Sequence, residues 1–329
     1  MIFNLPKKTY NFIGNEHIER YMLKSILNNK LHHAYIFSGI KGIGKATFAY
    51  RLSRYILASS SKRNLFVERS DKNSSLIENN SHPDFKVMEI DLDEGKKNID
   101  IEQVRKCINF FNHTSSMSQK KICIIDCIDD MNDNSSNAIL KILEEPPMNS
   151  IFLIISHNLE SIMPTIKSRC INLKFNKIKN EEIRKYFVKN DIDVNSEELE
   201  RIIDLSKGSL GKCLQLLDED YNNINVKVER LFHNDKDLNI YDLSNEIKND
   251  NYLSIFFELI ITYFEDRIKK LSLKRNYNNK KVILDFLKLR DDIINIIYEG
   301  QYYNNIKNHI IIDLCLLIKK SNKIYYTIQ

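Results

Sequence analysis

The segment GIKGIGKAT, from Gly39 to Thr47, carries the most structural information in the sequence. Its spacing fits the pattern G-x-x-x-x-G-K-[ST], a loop in which backbone N–H groups and a lysine bind phosphate oxygens. The position after Lys45 should carry a hydroxyl group that holds Mg²⁺, and it is Ala46. Thr47 follows one residue later, which is a turn of about 100° around a helix. The segment therefore predicts a phosphate-binding loop that lacks the hydroxyl group for Mg²⁺.

The residues around this loop alternate between strand and helix patterns. HAYIFSG (33–39) reads as a strand that leads into the loop, and KATFAYRLSRYILAS (45–59) has apolar residues at helical spacing. Continuous apolar runs such as KICIIDCI (121–128) are typical of strands that are buried on both faces of a parallel sheet. The further predicted strands are 85–90, 151–157 and 170–175, and the further predicted helices are 101–113 and 132–145. This alternation predicts a doubly wound α/β domain with a parallel sheet over residues 1–175.

The sequence pattern changes after residue 175, where the strands stop. Three short helices are predicted at 179–190, 196–208 and 210–219, and the chain reads as helical from 221 to its end. The broad apolar stripes of these last helices favour a helix–helix core, with a subunit-packing surface as the alternative. We accordingly predict domains at 1–175, 176–220 and 221–329. The polar segment 59–81 has no clear periodicity and is predicted to be a solvated, mobile excursion.

The composition is that of an ordinary globular protein, with 43% hydrophobic and 28% charged residues among 329 and a formal net charge of +5. This charge permits contact with nucleic acid and does not require it. No run of about 18 apolar residues is present, and the first twenty or so residues lack the pattern of a secretory signal. The six cysteines are scattered, which favours reduced thiols and argues against a zinc site. We therefore expect a cytoplasmic protein without a metal centre.

The run KICIIDCIDD supplies the acidic residue that a nucleotide site needs. Asp126 ends the apolar run, where a magnesium-assisting carboxylate would lie, but the next position carries Cys127, whereas motor ATPases carry a glutamate that polarises water. Either loss, at Ala46 or at Cys127, should raise the barrier by several kcal/mol, since ~1.4 kcal/mol is a factor of ten in rate. Asp129 and Asp130 could replace the missing carboxylate, although solvated or helix-start positions are the better interpretation.

These observations predict a degenerate nucleotide site that binds ATP or ADP weakly at most and does not hydrolyse ATP. Its residues are Gly39, Gly42, Gly44, Lys45, Thr47 and Asp126.

Arg169 is the second residue of interest for chemistry. It lies in a short Ser-Arg-Cys turn between the predicted strands 151–157 and 170–175. A lone arginine at such a place is usually an ordinary surface residue. The alternative is an arginine finger, which reaches the phosphates bound by a neighbouring subunit and increases the hydrolysis rate by a factor of roughly 10³–10⁵.

Several motifs, in this order and spacing, resemble the clamp-loader AAA+ proteins of bacterial replication. They are FIGNE (12–16), LHHAYIFSGIKGIGKAT (31–47), SHPDF (81–85), KICIIDCIDDMNDNSSNAILKILEEPP (121–147), PTIKSRC (164–170) and KGSLGKCL (207–214). The resemblance implies a RecA-like AAA+ domain, a small helical lid and a helical collar domain that joins subunits. It also implies that Arg169 is a catalytic arginine finger in trans.

The partners implied by the resemblance are the gamma/tau motor subunits and the delta subunit in a hetero-oligomeric ring. Sliding clamp and primed DNA would be reached through that complex, and no membrane is implied. Two departures set the chain apart from the motor subunits. The segment 59–81 has no cysteine, so the zinc module of related subunits is absent, and Gly211 stands where motors carry an arginine after GSL.

The resemblance is therefore to a non-hydrolysing member of the family. Two alternatives stay open. An active motor of gamma/tau type would need Thr47 and Asp130 to replace the missing groups. A simple P-loop kinase ranks last, because it leaves the SRC and LEEPP elements without a purpose.

Overall fold

The computed structural model describes residues 5–58, 64–90, 98–235, 237–247, 250–273, 279–302 and 307–326. The chain divides into two compact units, Met1–Leu214 and Gln215–Gln329. The first unit takes in the predicted domain 1–175 and most of the predicted segment 176–220. The division between the units falls at residue 214, whereas the sequence pattern placed the last boundary at 220.

The first unit is built on a five-stranded sheet with the order β2-β3-β4-β1-β5. All four strand pairings are parallel. This is the α/β class with a parallel sheet that the alternating pattern predicted, and each predicted strand lies within two residues of an observed one. The strands are β1 Ala34–Ser38, β2 Phe85–Glu89, β3 Lys121–Asp126, β4 Ser150–Ser156 and β5 Ile171–Lys174.

Helices cover both faces of this sheet. The helices of the first unit are α1 Glu16–Leu27, α2 Lys45–Leu57, α3 Lys72–Glu78, α4 Ile101–Asn112, α5 Asp133–Glu144, α6 Pro164–Lys167, α7 Asn180–Lys189 and α8 Ser196–Ser206, and α9 Leu210–Leu216 begins in it and ends just past the division. α1 and α2 pack on one face, and α4 and α5 on the other. Every residue of β1 and β4 is buried, because their neighbours on both sides and both faces are protein. The continuous apolar runs follow from this double burial.

The prediction that 59–81 is a solvated excursion is wrong for the residues that the structure describes, 64–81. Leu65 and Ile77 are fully buried and pack into the same core cluster as α2. α3 runs through the segment, and Asp71 caps it by accepting hydrogen bonds from the N–H groups of Asn73 and Ser74. The few apolar residues of this segment are too widely spaced to show a period, so the sequence pattern gave no sign of their burial. Residues 59–63 lie outside the described ranges.

α1 was not predicted either, although its sequence contains the signal. Ile18 and Met22 are one helical turn apart and buried, and Leu23 and Ile26 pack against the same cluster. This is the i, i+4 spacing of an amphipathic helix.

In the ranges described, the second unit consists of helices joined by turns and contains no strand, as the sequence predicted. Its helices are α10 Glu219–Phe232, α11 Ile240–Ile247, α12 Asp250–Leu273, α13 Asn279–Tyr302 and α14 Lys307–Tyr326. One cation lies inside it: Arg267 on α12 is 7% exposed and hydrogen-bonds to the Asn322 side chain and the Phe232 carbonyl. Its guanidinium lies 4.6 Å from the ring centroids of both Phe232 and Tyr325. Hydrogen bonds and aromatic faces together compensate the burial of this charge.

Among the described helices, none combines the length and apolar character that a membrane crossing needs.

Candidate nucleotide site and its neighbouring arginine

The glycine-rich loop connects β1 to α2, so that it lies at the carboxyl edge of the sheet, where ligands bind in open α/β folds. Gly39, Gly42 and Gly44 have φ angles of 144°, 80° and 91°. Residues with a Cβ rarely adopt this region, which explains the glycines. The predicted loop is thus present in the strand–loop–helix setting that the motif requires.

Lys45, the first residue of α2, is buried and binds its own loop. Its Nζ donates hydrogen bonds to the carbonyl oxygens of Gly39, at 2.5 Å, and Ile40, at 2.7 Å. Burial lowers the pKa of Lys45 to about 8, against the opposing effect of nearby acidic groups that include Asp126. The amine therefore stays mostly protonated at pH 7, and it would have to leave both carbonyls to reach a phosphate. Ala46 packs against the core cluster, and Thr47 follows it half-buried in the first turn of α2.

Asp126 ends β3, at the same edge of the sheet as the loop. It pairs in register with Glu89 of β2. Burial and, to a lesser extent, the charge of Glu89 raise the pKa of Asp126 to about 6 against the opposing effect of Lys45. The structure thus brings Asp126 and Lys45 within electrostatic reach of each other, as the sequence predicted for the nucleotide site.

A hydrogen-bond cluster that the sequence did not predict lies beside Asp126. Asp129 accepts from the Cys127 thiol at 2.7 Å and from the His157 backbone N–H at 2.5 Å. It also accepts from the hydroxyl groups of Ser156, at 3.1 Å, and Ser161, at 2.9 Å. Asp129 does lie in the first turn of a short 3₁₀ helix, Ile128–Asp130, but its interpretation as a solvated residue is wrong, because β4 and the turn after it place hydrogen-bond donors at both carboxylate oxygens. Asp130 is half-buried in the same short 3₁₀ turn, Ile128–Asp130.

The cluster fixes the protonation of its members. Burial raises the pKa of the Cys127 thiol, and its hydrogen bond to Asp129 raises it further. Burial opposes ionisation of Asp129, but the hydrogen bonds from Cys127, His157 and the two serines outweigh it and lower the pKa of that carboxyl. Burial also raises the pKa of Asp130, and the charge of Asp129 adds to this. Cys127 is therefore a neutral hydrogen-bond donor at pH 7, and Asp129 is the anion that accepts its hydrogen bond.

Cys127, Asp129 and His157 also offer ligand atoms that all lie within 4.8 Å of one another. Thiolate, imidazole and carboxylate are the ligand types of zinc. Here, however, donors occupy both oxygens of Asp129, and the protein favours the protonated thiol of Cys127. The hydrogen bonds account for the arrangement, and we interpret it as a support for the ends of β3 and β4.

The start of α9, together with Ser209 just before it, contacts the glycine loop. The Gly211 N–H donates to the Gly42 carbonyl at 2.8 Å, and the Ser209 hydroxyl donates to the Lys41 carbonyl at 2.9 Å. A Cβ built on Gly211 would lie 2.8 Å from the Gly42 Cα, and one on Gly42 would lie 2.3 Å from the Ser209 Oγ. The contact therefore requires glycine at both 42 and 211.

Arg169 follows α6 and precedes β5. Its guanidinium forms a 2.5 Å ion pair with Glu144 and donates to the Thr165 carbonyl, at 2.7 Å, and to the Ser168 hydroxyl, at 3.3 Å. The side chain is 33% exposed. Since β5 runs parallel to β1, a residue just before β5 lies at the amino edge of the sheet, opposite the glycine loop. The structure therefore does not bring Arg169 together with the other predicted site residues.

A parallel sheet that carries a glycine-rich loop and lysine after one strand, and an aspartate at the end of another, defines a P-loop protein with a RecA-like α/β domain. The sequence profile of a family described as "DNA polymerase III, delta subunit" matches residues 14–179. The chain belongs to this clamp-loader family of DNA polymerase III.

Its relatives include subunits with two different names. A DNA polymerase III subunit gamma of Buchnera aphidicola subsp. Schizaphis graminum is 30% identical over 68% of this chain and 62% of its own length. A subunit delta' of Pseudomonas aeruginosa is 34% identical over 42% of each chain. A subunit delta' of Bacillus subtilis is 27% identical over 65% of this chain and 63% of its own. The chain thus spans less than two thirds of the length of these relatives.

Among solved structures, a gamma-subunit-related protein of Thermotoga maritima is similar to 92% of this chain. The match covers 99% of that protein, at 15% identity and a TM-score of 0.48.

Proposed function

We propose that this chain is a non-hydrolysing clamp-loader subunit of delta-prime type. Its role would be to help load the sliding clamp onto primed DNA from within a hetero-oligomeric ring, together with gamma/tau and delta subunits, in the cytoplasm. The observation that carries the proposal is the state of Cys127. At the position where motor ATPases hold a glutamate, the chain has a neutral thiol that donates a hydrogen bond to Asp129.

This arrangement opposes hydrolysis for a simple chemical reason. The glutamate of a motor subunit accepts a hydrogen bond from the attacking water and so orients it. Cys127 is directed to Asp129 as a donor instead, and its raised pKa keeps the thiol protonated. Ala46 also gives Mg²⁺ no hydroxyl. Lys45 and the loop N–H groups remain, so that weak binding of ATP or ADP without turnover is part of the proposal.

The position of Arg169 supports the second half of the proposal, an arginine finger in trans. A residue at the amino edge of the sheet cannot serve the loop at the carboxyl edge of the same sheet. The side chain is nevertheless partly exposed, and neighbours in its own chain hold it in place. These are the properties of a group that is presented to another molecule.

The second candidate is an active motor of gamma/tau type, which the gamma relative from Buchnera favours. It requires Thr47 to supply the magnesium hydroxyl and Asp130 to polarise water. The raised pKa of Asp130 would suit a base, but its place in the turn after Cys127 differs from that of the motor glutamate.

Phosphate release by the purified full chain separates these candidates. We expect no turnover above the rate of a Lys45→Ala variant, because the groups that hold Mg²⁺ and orient water are missing. A gamma/tau subunit assayed in parallel serves as the positive control. Steady ATP turnover that Lys45→Ala abolishes would favour the motor and contradict the proposal.

The contact between Gly211 and the loop leads to a prediction about nucleotide affinity. Gly211→Ala places a Cβ 2.8 Å from the Gly42 Cα and so displaces the hydrogen bond that holds the loop. Binding of a nucleotide to the loop then no longer competes with this hydrogen bond. We expect a fluorescent ATP analogue to bind about 2- to 10-fold more tightly, since one hydrogen bond contributes roughly 0.5–1.5 kcal/mol. Gln215→Ala, later on the same helix, should leave the affinity unchanged. Equal or weaker binding by Gly211→Ala would show that the contact does not oppose nucleotide.

A further inference from the structure

We propose that Glu144 is a positioning residue that presents Arg169 to the neighbouring nucleotide, an inference that rests on the proposed function. Glu144 is the last residue of α5, in the element ILEEPP, whereas Arg169 belongs to the SRC turn. The 2.5 Å ion pair between the Glu144 Oε1 and the Arg169 Nη2 joins these two elements. Neither element is part of the glycine loop, and the ion pair assigns both of them to the positioning of the Arg169 guanidinium.

The direction of the chain explains why these residues meet. α5 starts after β3 ends, at the carboxyl edge of the sheet, and it finishes shortly before β4 begins, at the amino edge. Arg169 precedes β5 at that same edge. Pro146 and Pro147 follow α5 after a single residue, Glu145, and proline cannot continue a helix, so the sequence fixes where α5 ends and where Glu144 lies.

The guanidinium is held on one side and left available on the other. Nη1 donates to the Thr165 carbonyl and to the Ser168 hydroxyl, and Nη2 meets Glu144. These contacts use three of the five N–H donors of an arginine, which are arranged in a fixed planar fork. The remaining donors suit phosphate oxygens, which arginine recognises by paired hydrogen bonds. Because the side chain is partly exposed, phosphate oxygens of another molecule can reach these donors.

Holding the arginine matters more for rate than for stability. A free arginine side chain has many rotamers, and fixing one of them on binding costs conformational entropy. A surface ion pair contributes little to folding, because both partners are well solvated when apart. Glu144 and Arg169 are 48% and 33% exposed, so we expect their pairing to leave the stability of the chain almost unchanged. Its effect should appear where the geometry of the guanidinium counts, in the transition state of the neighbouring hydrolysis.

The test uses the full chain, reconstituted with gamma/tau and delta subunits, with clamp- and primed-DNA-stimulated ATP hydrolysis as the readout. We expect Glu144→Ala to lower the stimulated kcat about tenfold, with an unchanged KM for ATP and an unchanged thermal midpoint. Glu144→Gln should lose less, because its amide oxygen still accepts a hydrogen bond. Glu145→Ala, the exposed neighbour, is the matched control and should keep full activity.

A double variant identifies the route of the effect. If Glu144 acts through Arg169, Glu144→Ala adds nothing to the loss caused by Arg169→Ala. Additive losses would show that Glu144 acts elsewhere and would overturn the inference, as would full or increased activity of Glu144→Ala alone. Full activity of Glu144→Ala beside a loss in Arg169→Ala would leave the proposed function standing. Full activity of both variants would remove the arginine finger itself.

Discussion

Arg169→Ala is expected to reduce ATP hydrolysis at the site that faces this chain in a reconstituted clamp loader by about 10³-fold or more. The loss is large because the guanidinium compensates negative charge that develops on the phosphate oxygens only in the transition state. Contacts of this kind change kcat and leave substrate binding almost unchanged. The readout is clamp- and DNA-stimulated phosphate release by the assembled complex.

Two further variants show whether the effect belongs to the shape of the arginine side chain at this position. Arg169→Lys keeps the charge but loses the planar fork, so we expect it to recover only a small part of the activity. Arg184→Ala removes another exposed arginine, which is paired with Glu200 through two 2.7 Å hydrogen bonds. It should leave hydrolysis unchanged. Wild-type rates in a complex that contains Arg169→Ala would contradict the assignment of the finger.

The edge of the sheet at which Arg169 lies distinguishes action in trans from action in cis. Tyr35 of β1 pairs with Ile171 of β5, so the glycine loop after β1 and the arginine before β5 lie at opposite ends of two adjacent strands. No rotation of a side chain closes that gap. If Arg169 contributes to hydrolysis, the nucleotide must belong to a neighbour. Arg169→Ala should for this reason leave nucleotide binding by the isolated chain unaffected.

The sheet and its loop could be predicted from the sequence because their signals are local. Apolar runs such as 121–128 and the glycine spacing of 39–44 each lie within one short segment. α1 carried a local signal too, in the spacing of Ile18 and Met22, and was missed. α3 carried none, since its burial depends on partners in α2 that the segment itself does not reveal.

The same distinction divides the candidate site. Lys45 and Asp126 are recognisable from motifs, but the cluster around Asp129 depends on the parallel pairing of β3 with β4, which brings the turn after β4 beside the turn after β3. The Ser209–Lys41 hydrogen bond joins residues 168 positions apart. Spacing along a single sequence contains no record of such contacts, so the protonation state of Cys127 could be derived only from the fold.

Asp84, in the element SHPDF, is a buried carboxylate that organises a loop of the first unit. It accepts hydrogen bonds from the backbone N–H groups of Ser116, Met117 and Ser118, at 2.7 to 2.8 Å, and from the Ser118 hydroxyl at 3.0 Å. Its own N–H donates to the Nδ1 of His82. Burial opposes ionisation of Asp84, but the hydrogen bonds outweigh it and lower the pKa of the carboxyl.

Asp84→Ala is therefore expected to lower the free energy of unfolding of the chain by about 3 kcal/mol, since hydrogen bonds to a charged group are each worth roughly 1.5–3 kcal/mol and water restores part of the loss. Asp71→Ala removes the cap of α3 and is the matched control, with an expected loss of about 1 kcal/mol.

The stabilisation by Asp84 should also depend on pH. Because the pKa of Asp84 is lowered in the folded state, its contribution to the free energy of unfolding is complete above the unfolded pKa of about 3.9 and disappears as the pH falls through the folded value. Urea unfolding at pH 7 and near pH 3 should show the difference between wild type and Asp84→Asn shrinking at the lower pH. A difference that does not change with pH, or a loss in Asp84→Ala no greater than that in Asp71→Ala, would mean that the ionised carboxylate does not hold this loop.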